Sequence, residues 1–495
     1  MTSATLLSLP DELLARIFEN VAADSELGRK TLTSSALACR RLRLVVEPAL
    51  YRQVVINDGN GSADRLKRTL EQTPSHGQLV IDLTIKHQLD FGDWLRDGRN
   101  SASVGHFWDP PTLGTLQNLK SLCLSCVQVP VIGAILAALP TATLADLRVY
   151  AQIRTVEQSQ LSQIWARLQA FTELRTLVLE AALMEMNFDH GRPFLPADRT
   201  RLPQLHKLTT VDWFCVVLLG NTPSLKFAVP HVADLSLTIT GHVDWSLRTH
   251  LFSNLPDSLN SLEIESEMTA SLLPFTALRG GQGPLAGYLP HLPPVRHLCL
   301  AADTFVEDDL IAYLPESQLE SIEFALGAPV TDRLLQVLVG SGRPPSLRAV
   351  RLDHIAANSL ETITGRFGNE GPANDLEWGR LRGMLRPTWT DARSEDGLRA
   401  ALTTASAHGI AIDGTAVEAL AWELVYDAIL KYYTMRRACA TDDYDKAIEL
   451  FGKDMVIDWL LERAPNTVRL VCTGYHSSVE EDSSVEEDSS VEEDF

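Results

Sequence analysis

Long apolar runs are missing from this 495-residue chain. The run Val131-Ile132-Gly133-Ala134-Ile135-Leu136-Ala137-Ala138-Leu139 is far short of the roughly 18–20 residues a membrane-spanning helix needs. The first residues carry no basic stretch, and Asp11 and Glu12 interrupt any apolar centre of a secretory leader. A soluble intracellular protein, cytoplasmic and/or nuclear, is expected. Aromatic residues make up only 7%, which argues against one large aromatic-rich core. Cysteine is sparse: seven residues, at 39, 123, 126, 215, 299, 439 and 472. Their odd number and scatter give no disulfide framework. Cys123 and Cys126 form the one close pair, without the helix N-terminus a redox pair needs or the second pair a zinc site needs. They read as ordinary strand and turn cysteines.

Basic charge is also in deficit, with a formal net charge of −21. Nine of the carboxylates lie in Ser477 to Asp494, which repeats Ser-Ser-Val-Glu-Glu-Asp three times, leaving −12 for the rest. Such a balance excludes nucleic acid as the partner of the body as a whole. Catalytic motifs are lacking too. There is no phosphate-binding Gly-rich loop ending in Lys-Ser/Thr, no nucleophile elbow and no His-Glu-x-x-His. The glycines 280, 281 and 283 precede no helical pattern, and His87, His190 and His250 stand alone. No catalytic, cofactor or metal-ligating residue is assigned, and a non-enzymatic protein is expected.

What the sequence does contain is two kinds of apolar pattern. Near the start, Pro10, Asp11 and Glu12 suit the first turn of a helix. Leu13, Leu14, Ile17, Phe18 and Val21 then fall on one apolar face. A second amphipathic stretch covers residues 31–43, and Pro48 to Ile56 turns from helix to a β-rich run. A unit of about 50 residues buries little surface alone and is usually an attachment piece.

From residue 80 an apolar residue, two variable ones and apolar-x-apolar recur. The copies are Val80-x-x-Leu83-x-Ile85, Leu119-x-x-Leu122-x-Leu124, Leu144-x-x-Leu147-x-Val149 and Leu174-x-x-Leu177-x-Leu179. They continue as Val232-x-x-Leu235-x-Leu237, Leu259-x-x-Leu262-x-Ile264, Val295-x-x-Leu298-x-Leu300, Leu319-x-x-Ile322-x-Phe324 and Leu347-x-x-Val350-x-Leu352. Central residues are spaced by 39, 25, 30, 58, 27, 36, 24 and 28. The step of 58 implies a degenerate copy, assigned here to Leu208-x-x-Val211-x-Trp213. This is the leucine-rich repeat pattern, in which each copy supplies one strand and stacks its leucines on the next. The long steps predict full helices and insertions on the convex side. Leu-Pro and Pro-Pro pairs mark the turns that lead into many strands.

After the Gly371-Pro372 turn the texture changes. Helices are expected over 395–407, over 415–438 with Val417, Leu420, Leu424 and Ala428 on one face, and over 442–463. Residues 408–414 read as one last strand and turn.

The N-terminal residues Leu9-Pro10-x-Glu12-Leu13-x-x-x-Ile17-Phe18, then Leu37-Ala38-Cys39-Arg40-Arg41-Leu42-Arg43, then Pro48-x-Leu50-Tyr51 resemble the F-box. The closing Leu-Tyr-Arg-x-Val-x-Ile is similar to fungal F-box proteins. One departure is Leu42, where the family usually has tryptophan. The resemblance implies docking to the Skp-type adaptor of cullin-RING ubiquitin ligases. Leu9, Pro10, Leu13, Ile17, Leu37 and Cys39 would face that adaptor. The alternative is a repeat scaffold working outside any ligase.

The expected architecture is an α/β solenoid. It comprises an all-α F-box (1–56), an irregular leucine-rich-repeat region with parallel strands on the concave face and helices outside (57–414), a helical C-terminal cap (415–475) and an acidic tail (476–495). Strand residues flanking the core positions point to the concave face. Those named are Arg148, Glu180, Asp234, Glu263, Glu265, Glu323, Arg351 and Asp353. Acids dominate, so a basic or unphosphorylated protein segment is the expected substrate contact, though a merely solvated face gives the same pattern. In the tail, acids three residues after each serine suit acidophilic kinases, and a disordered solubilising tail suits the composition equally.

Overall fold

The computed structural model describes residues 9–23, 26–57, 62–86, 110–153, 164, 166–183, 201–211, 224–239, 251–266, 285, 287–301, 304–325, 327–354, 372, 374–385, 387, 389–441 and 444–463. The acidic tail, Trp213, the glycines 280, 281 and 283 and His87, His190 and His250 lie outside them. Two compact units are present. One comprises Met1–Ile355 with Trp389–Thr415, the other Ala356–Thr388 with Ala416–Phe495.

The first unit begins with three helices, α1 (Asp11–Ala23), α2 (Glu26–Ala38) and α3 (Arg40–Arg52). Leu14, Phe18, Leu32, Leu42, Val46 and Ala49 form their common core. Cys39 breaks α2 from α3: its backbone is extended and its Sγ accepts the Leu42 amide, capping α3. Arg41 pins the start of α1 to α3 through Asp11 at 2.7 Å and the Leu9 carbonyl at 2.7 Å.

Among the described residues, twelve strands follow in one sheet, in strict sequence order and all parallel. They are β1 (Gln53–Asn57), β2 (Asp82–Lys86), β3 (Ser121–Gln128), β4 (Asp146–Ile153), β5 (Thr176–Leu183) and β6 (Lys207–Val211). The series ends with β7 (Asp234–Ile239), β8 (Ser261–Ser266), β9 (His297–Leu300), β10 (Ser321–Phe324), β11 (Ala349–Leu352) and β12 (Ala411–Asp413). Parallel neighbours need crossovers that return the chain to the same end of the sheet, and this order is compatible with an open α/β solenoid. Gln53–Asn57, placed by sequence at the close of the N-terminal module, is the sheet's first strand.

The register is fixed by backbone chemistry at one end of the strands. The carbonyl of Lys120 accepts both the Ala145 and Asp146 amides, at 2.8 and 2.9 Å. Ile81, Ala145, Arg175, His206, Ala233, Asn260, Arg296 and Glu320 repeat the same double acceptance. Two residues after each such carbonyl stands the buried residue that begins the core pair: Leu83, Leu122, Leu147, Leu177, Leu208, Leu235, Leu262, Leu298 and Ile322. Each fully buried aliphatic side chain contributes about 1.5–3 kcal/mol, and stacking in register makes those contributions continuous from strand to strand.

This ladder corrects the degenerate copy. Leu208 pairs with Leu177 and Leu235, so the repeat reads Leu205-x-x-Leu208-x-Thr210, three residues earlier than the pattern suggested. Thr210 occupies a core position, 2% exposed. A threonine there hides the copy from any search for leucine. The returns between strands vary. Helices occur at Ser62–Gln72, Val129–Ala138, Glu307–Tyr313, Asp332–Val339 and Glu395–Ala407, with single 3-10 turns at Leu289–His291 and at Leu314–Glu316, the latter continuing directly from Glu307–Tyr313. Proline stands in the first turn of both 3-10 elements, where its missing N–H costs nothing. The expected last strand is present as β12, followed by Gly414 at φ +104° against the Leu352 backbone, a conformation and a closeness that require glycine.

The second unit contains helices Asp375–Leu385, Trp422–Thr441, Asp445–Phe451 and Lys453–Arg463. Leu381, Ile429 and Tyr433 form one small core and Met435, Ala438, Tyr444, Ala447, Val456 and Leu460 another. The face expected from Val417, Leu420, Leu424 and Ala428 is not the buried one. A 3-10 turn at Ala419–Ala421 resets the helical phase, leaving Leu424 exposed and Ile429 and Tyr433 inside. Gly452, at φ +80°, splits the helix expected over 442–463 into two.

Candidate interaction surfaces

Two surfaces of the first unit are candidates for contact with a partner. On the helical module, the five apolar residues of α1 divide into two adjacent stripes. Leu14 and Phe18 enter the core, while Leu13 and Ile17 stay outside, 46% and 37% exposed. In α2 Leu37 is 83% exposed, and in α3 Leu44 is 65% exposed. Pro10 is exposed, while Leu9 and Cys39 are partly buried against the module core. Of the six residues named from sequence, four are open to a partner. Cys39 is a cap and Leu9 a partial core residue. Leu42, at the family's usual tryptophan position, faces inward. Leu44 was missed; its signal is that it falls off the Leu42–Val46–Ala49 stripe.

The second surface is the sheet face opposite the leucines. Pairing sets its side chains in rows across the strands. One row runs Thr84, Cys123, Arg148, Val178, Thr209, Ser236, Glu263, Cys299, Glu323, Arg351 and Asp413. Its later part is acidic. Glu265 lies in the adjacent row, paired with Thr238, and Asp353 follows β11 two residues after Arg351. Asp234 stands one row earlier, between Lys207 and Ser261.

Electrostatics show which of these charges meet. Burial first, then Glu263 and Glu180, push the Glu265 carboxyl above its ordinary range. Glu323 is raised by burial and held back by Arg351, with Asp353, Glu263 and Asp413 adding to the rise. Burial raises Glu180. The Cys299 thiol, in the middle, is pushed up to about 12 by burial and then by Glu323, Glu263, Glu265 and Asp353. It is a protonated thiol among carboxylates, the reverse of a reactive cysteine. Arg351 is the cation of this patch: its Nε bonds the Asp353 carboxylate and lies 3.8 Å from Glu323. Asp353 also accepts the Thr415 amide at 2.8 Å, so part of its role is to hold the chain beyond β12.

The structure therefore brings together Glu263, Glu265, Glu323, Arg351 and Asp353. It adds Cys299 and Asp413, which sequence reading did not name, and links Glu180 by charge. Asp234 lies in a different row. Arg148 pairs with Asp146 at 3.2 Å. Cys123 lies on β3, its thiol raised by burial, and Cys126 follows on the same strand, its side chain outside the described set. Among the described residues, no group of three or more His, Cys, Asp or Glu could hold a metal ion.

A family model described as F-box-like matches residues 6–57. That span coincides with the three helices and the first strand. No curated protein matches the chain.

Proposed function

We propose that this protein is the substrate-recognition subunit of a Skp–cullin–F-box ubiquitin ligase. In this reading the helical module docks a Skp-type adaptor through Leu13, Ile17 and Leu37 with Pro10, and Leu44 widens the apolar contact. F-box domains generally bind such adaptors, and their proteins are usually non-catalytic; ubiquitin transfer belongs to the bound partners. The sheet is read as an irregular leucine-rich-repeat array of the kind joined to fungal F-boxes. Its open face is the substrate surface, with Glu263, Glu265 and Glu323 presenting charge to a basic protein segment. Cytoplasm or nucleus is the corresponding location.

The observation that carries the reading is the F-box-like match falling on a module that leaves four of its own large apolar side chains, Leu13, Ile17, Leu37 and Leu44, in water. Such residues act as anchors when a partner groove covers them. The test is affinity capture with the full-length chain beside a Leu13→Ala/Leu37→Ala double variant, probed for adaptor and cullin. Recovery of both by the wild type and of neither by a folded variant supports a ligase subunit. Adaptor without cullin supports a scaffold outside a ligase, and neither from folded wild type removes the docking role.

A further inference from the structure

The junction between the helical module and the sheet has a structure of its own. Arg52 closes α3 and Gln53 opens β1 with no residue between them. A direct helix-to-strand step leaves few torsions to swivel, and a second element restrains those. The 3-10 turn Pro74–Leu79 packs on α3 just before the step. The His76 ring stacks on Tyr51, centroids 4.5 Å apart and planes 22° from parallel. His76 Nε2 lies 3.7 Å from the Glu47 carboxylate, which also takes Arg43 at 2.7 Å. Burial, then the Glu47 charge, raises the Tyr51 hydroxyl above its ordinary value.

The same turn is wedged from the far side. Gly77 meets Thr115 so closely that a Cβ has no room, and Asn118 donates to the Gln78 carbonyl at 2.7 Å. The turn thus clamps α3 to the layer that leads into β3. His76 is an unexpected choice for that position. Its Nδ1 is buried with no hydrogen-bond partner among the described residues, a cost that a phenylalanine or leucine would not carry. A locally unfavourable residue in an otherwise consistent fold points to a job that its polar atoms perform. Here that job is the contact with Glu47.

We propose that the turn Pro74–Leu79 is a buttress fixing the direction of the three helices on the sheet, with His76 and Tyr51 as its positioning residues. Its functional value rests on the ligase reading: a substrate on the sheet face is then presented at a fixed place relative to the adaptor. The hinge is closed by side chains as well as by the chain.

The test is a distance distribution by pulsed electron spin resonance on the full chain. Nitroxide labels are carried by non-natural residues at Ser34 in α2 and Thr172 ahead of β5. Wild type gives one narrow distance. His76→Ala loses that single distance for a broad distribution while the chain stays folded, with the far-ultraviolet circular dichroism of the wild type. His76→Phe keeps the stack and loses the Glu47 contact, and it too broadens. A narrow distance retained in both variants, or a wild type already broad, overturns the proposal. No adaptor is present, so failure of the ligase reading appears separately, as absent adaptor capture by the wild type.

Discussion

The N-terminal helices and the sheet that follows dispose of their apolar side chains in opposite ways. The sheet buries nearly all of them: β1 to β11 each turn a core pair inward, and the open face carries mostly hydroxyl, thiol and charged groups, with Val55 its one large exposed aliphatic among the described residues. The helices bury one stripe and leave another in water. Size is the reason. Each strand's leucines are covered by the next repeat, whereas about 40 residues in three helices enclose too little volume to cover every apolar group. An uncovered leucine in such a module is a property of the module alone and becomes an anchor when something covers it.

The comparison breaks most sharply at a core leucine. Leu122→Ala in β3 is expected to cost about 3–5 kcal/mol, read from the urea midpoint, because layers on both sides lose their contact. If the loss is under about 1 kcal/mol, the continuous core described for the sheet is wrong. Leu37→Ala should do the reverse. Stability changes by less than about 0.5 kcal/mol, while adaptor affinity falls by about 2 kcal/mol, roughly 30-fold, by calorimetric titration. Equal affinity would remove Leu37 from the interface.

Thr210→Val sharpens the comparison inside the sheet. The Thr210 hydroxyl is buried with a 3.5 Å contact to the Val211 carbonyl, and exchanging it for a methyl should gain about 0.5–1 kcal/mol in thermal unfolding. A loss would mean that the hydroxyl does more than occupy a leucine position. The smallest effect lies on the open face. Glu265 and Glu323 have folded pKa values above their ordinary ones. Their ionisation therefore opposes folding at neutral pH, and the penalty is lifted as pH falls through the folded value towards the unfolded one. Glu263→Gln/Glu265→Gln/Glu323→Gln should be slightly more stable than wild type at neutral pH, with the difference vanishing on acidification. A variant less stable at neutral pH would show these carboxylates to be favourably paired.

Much of this was legible because two patterns are periodic. The spacing of apolar-x-apolar pairs located the strands from β2 onward with their inward residues, apart from β6, and located β12 from residues 408–414. It failed at β6, where Thr210 replaces the aliphatic residue, and in the second unit, where a 3-10 turn shifts the phase and Leu424 moves outside. Which apolar residues of the helical module stay exposed was half legible. Composition cannot separate Leu13 from Leu14, since both are leucines on one side of one helix.

The sequence by itself determined that leucine layers would stack, that an amphipathic helical module precedes them, and that acids outnumber bases on the strands. Those follow from side-chain chemistry and short-range periodicity. Only the tertiary structure decided which leucines the module leaves in water, which carboxylates meet around Cys299, and that His76 lies against Tyr51 and Glu47. Residues 24 to 54 positions apart in sequence become neighbours only through lateral strand pairing and helix packing, and no local pattern encodes that distance.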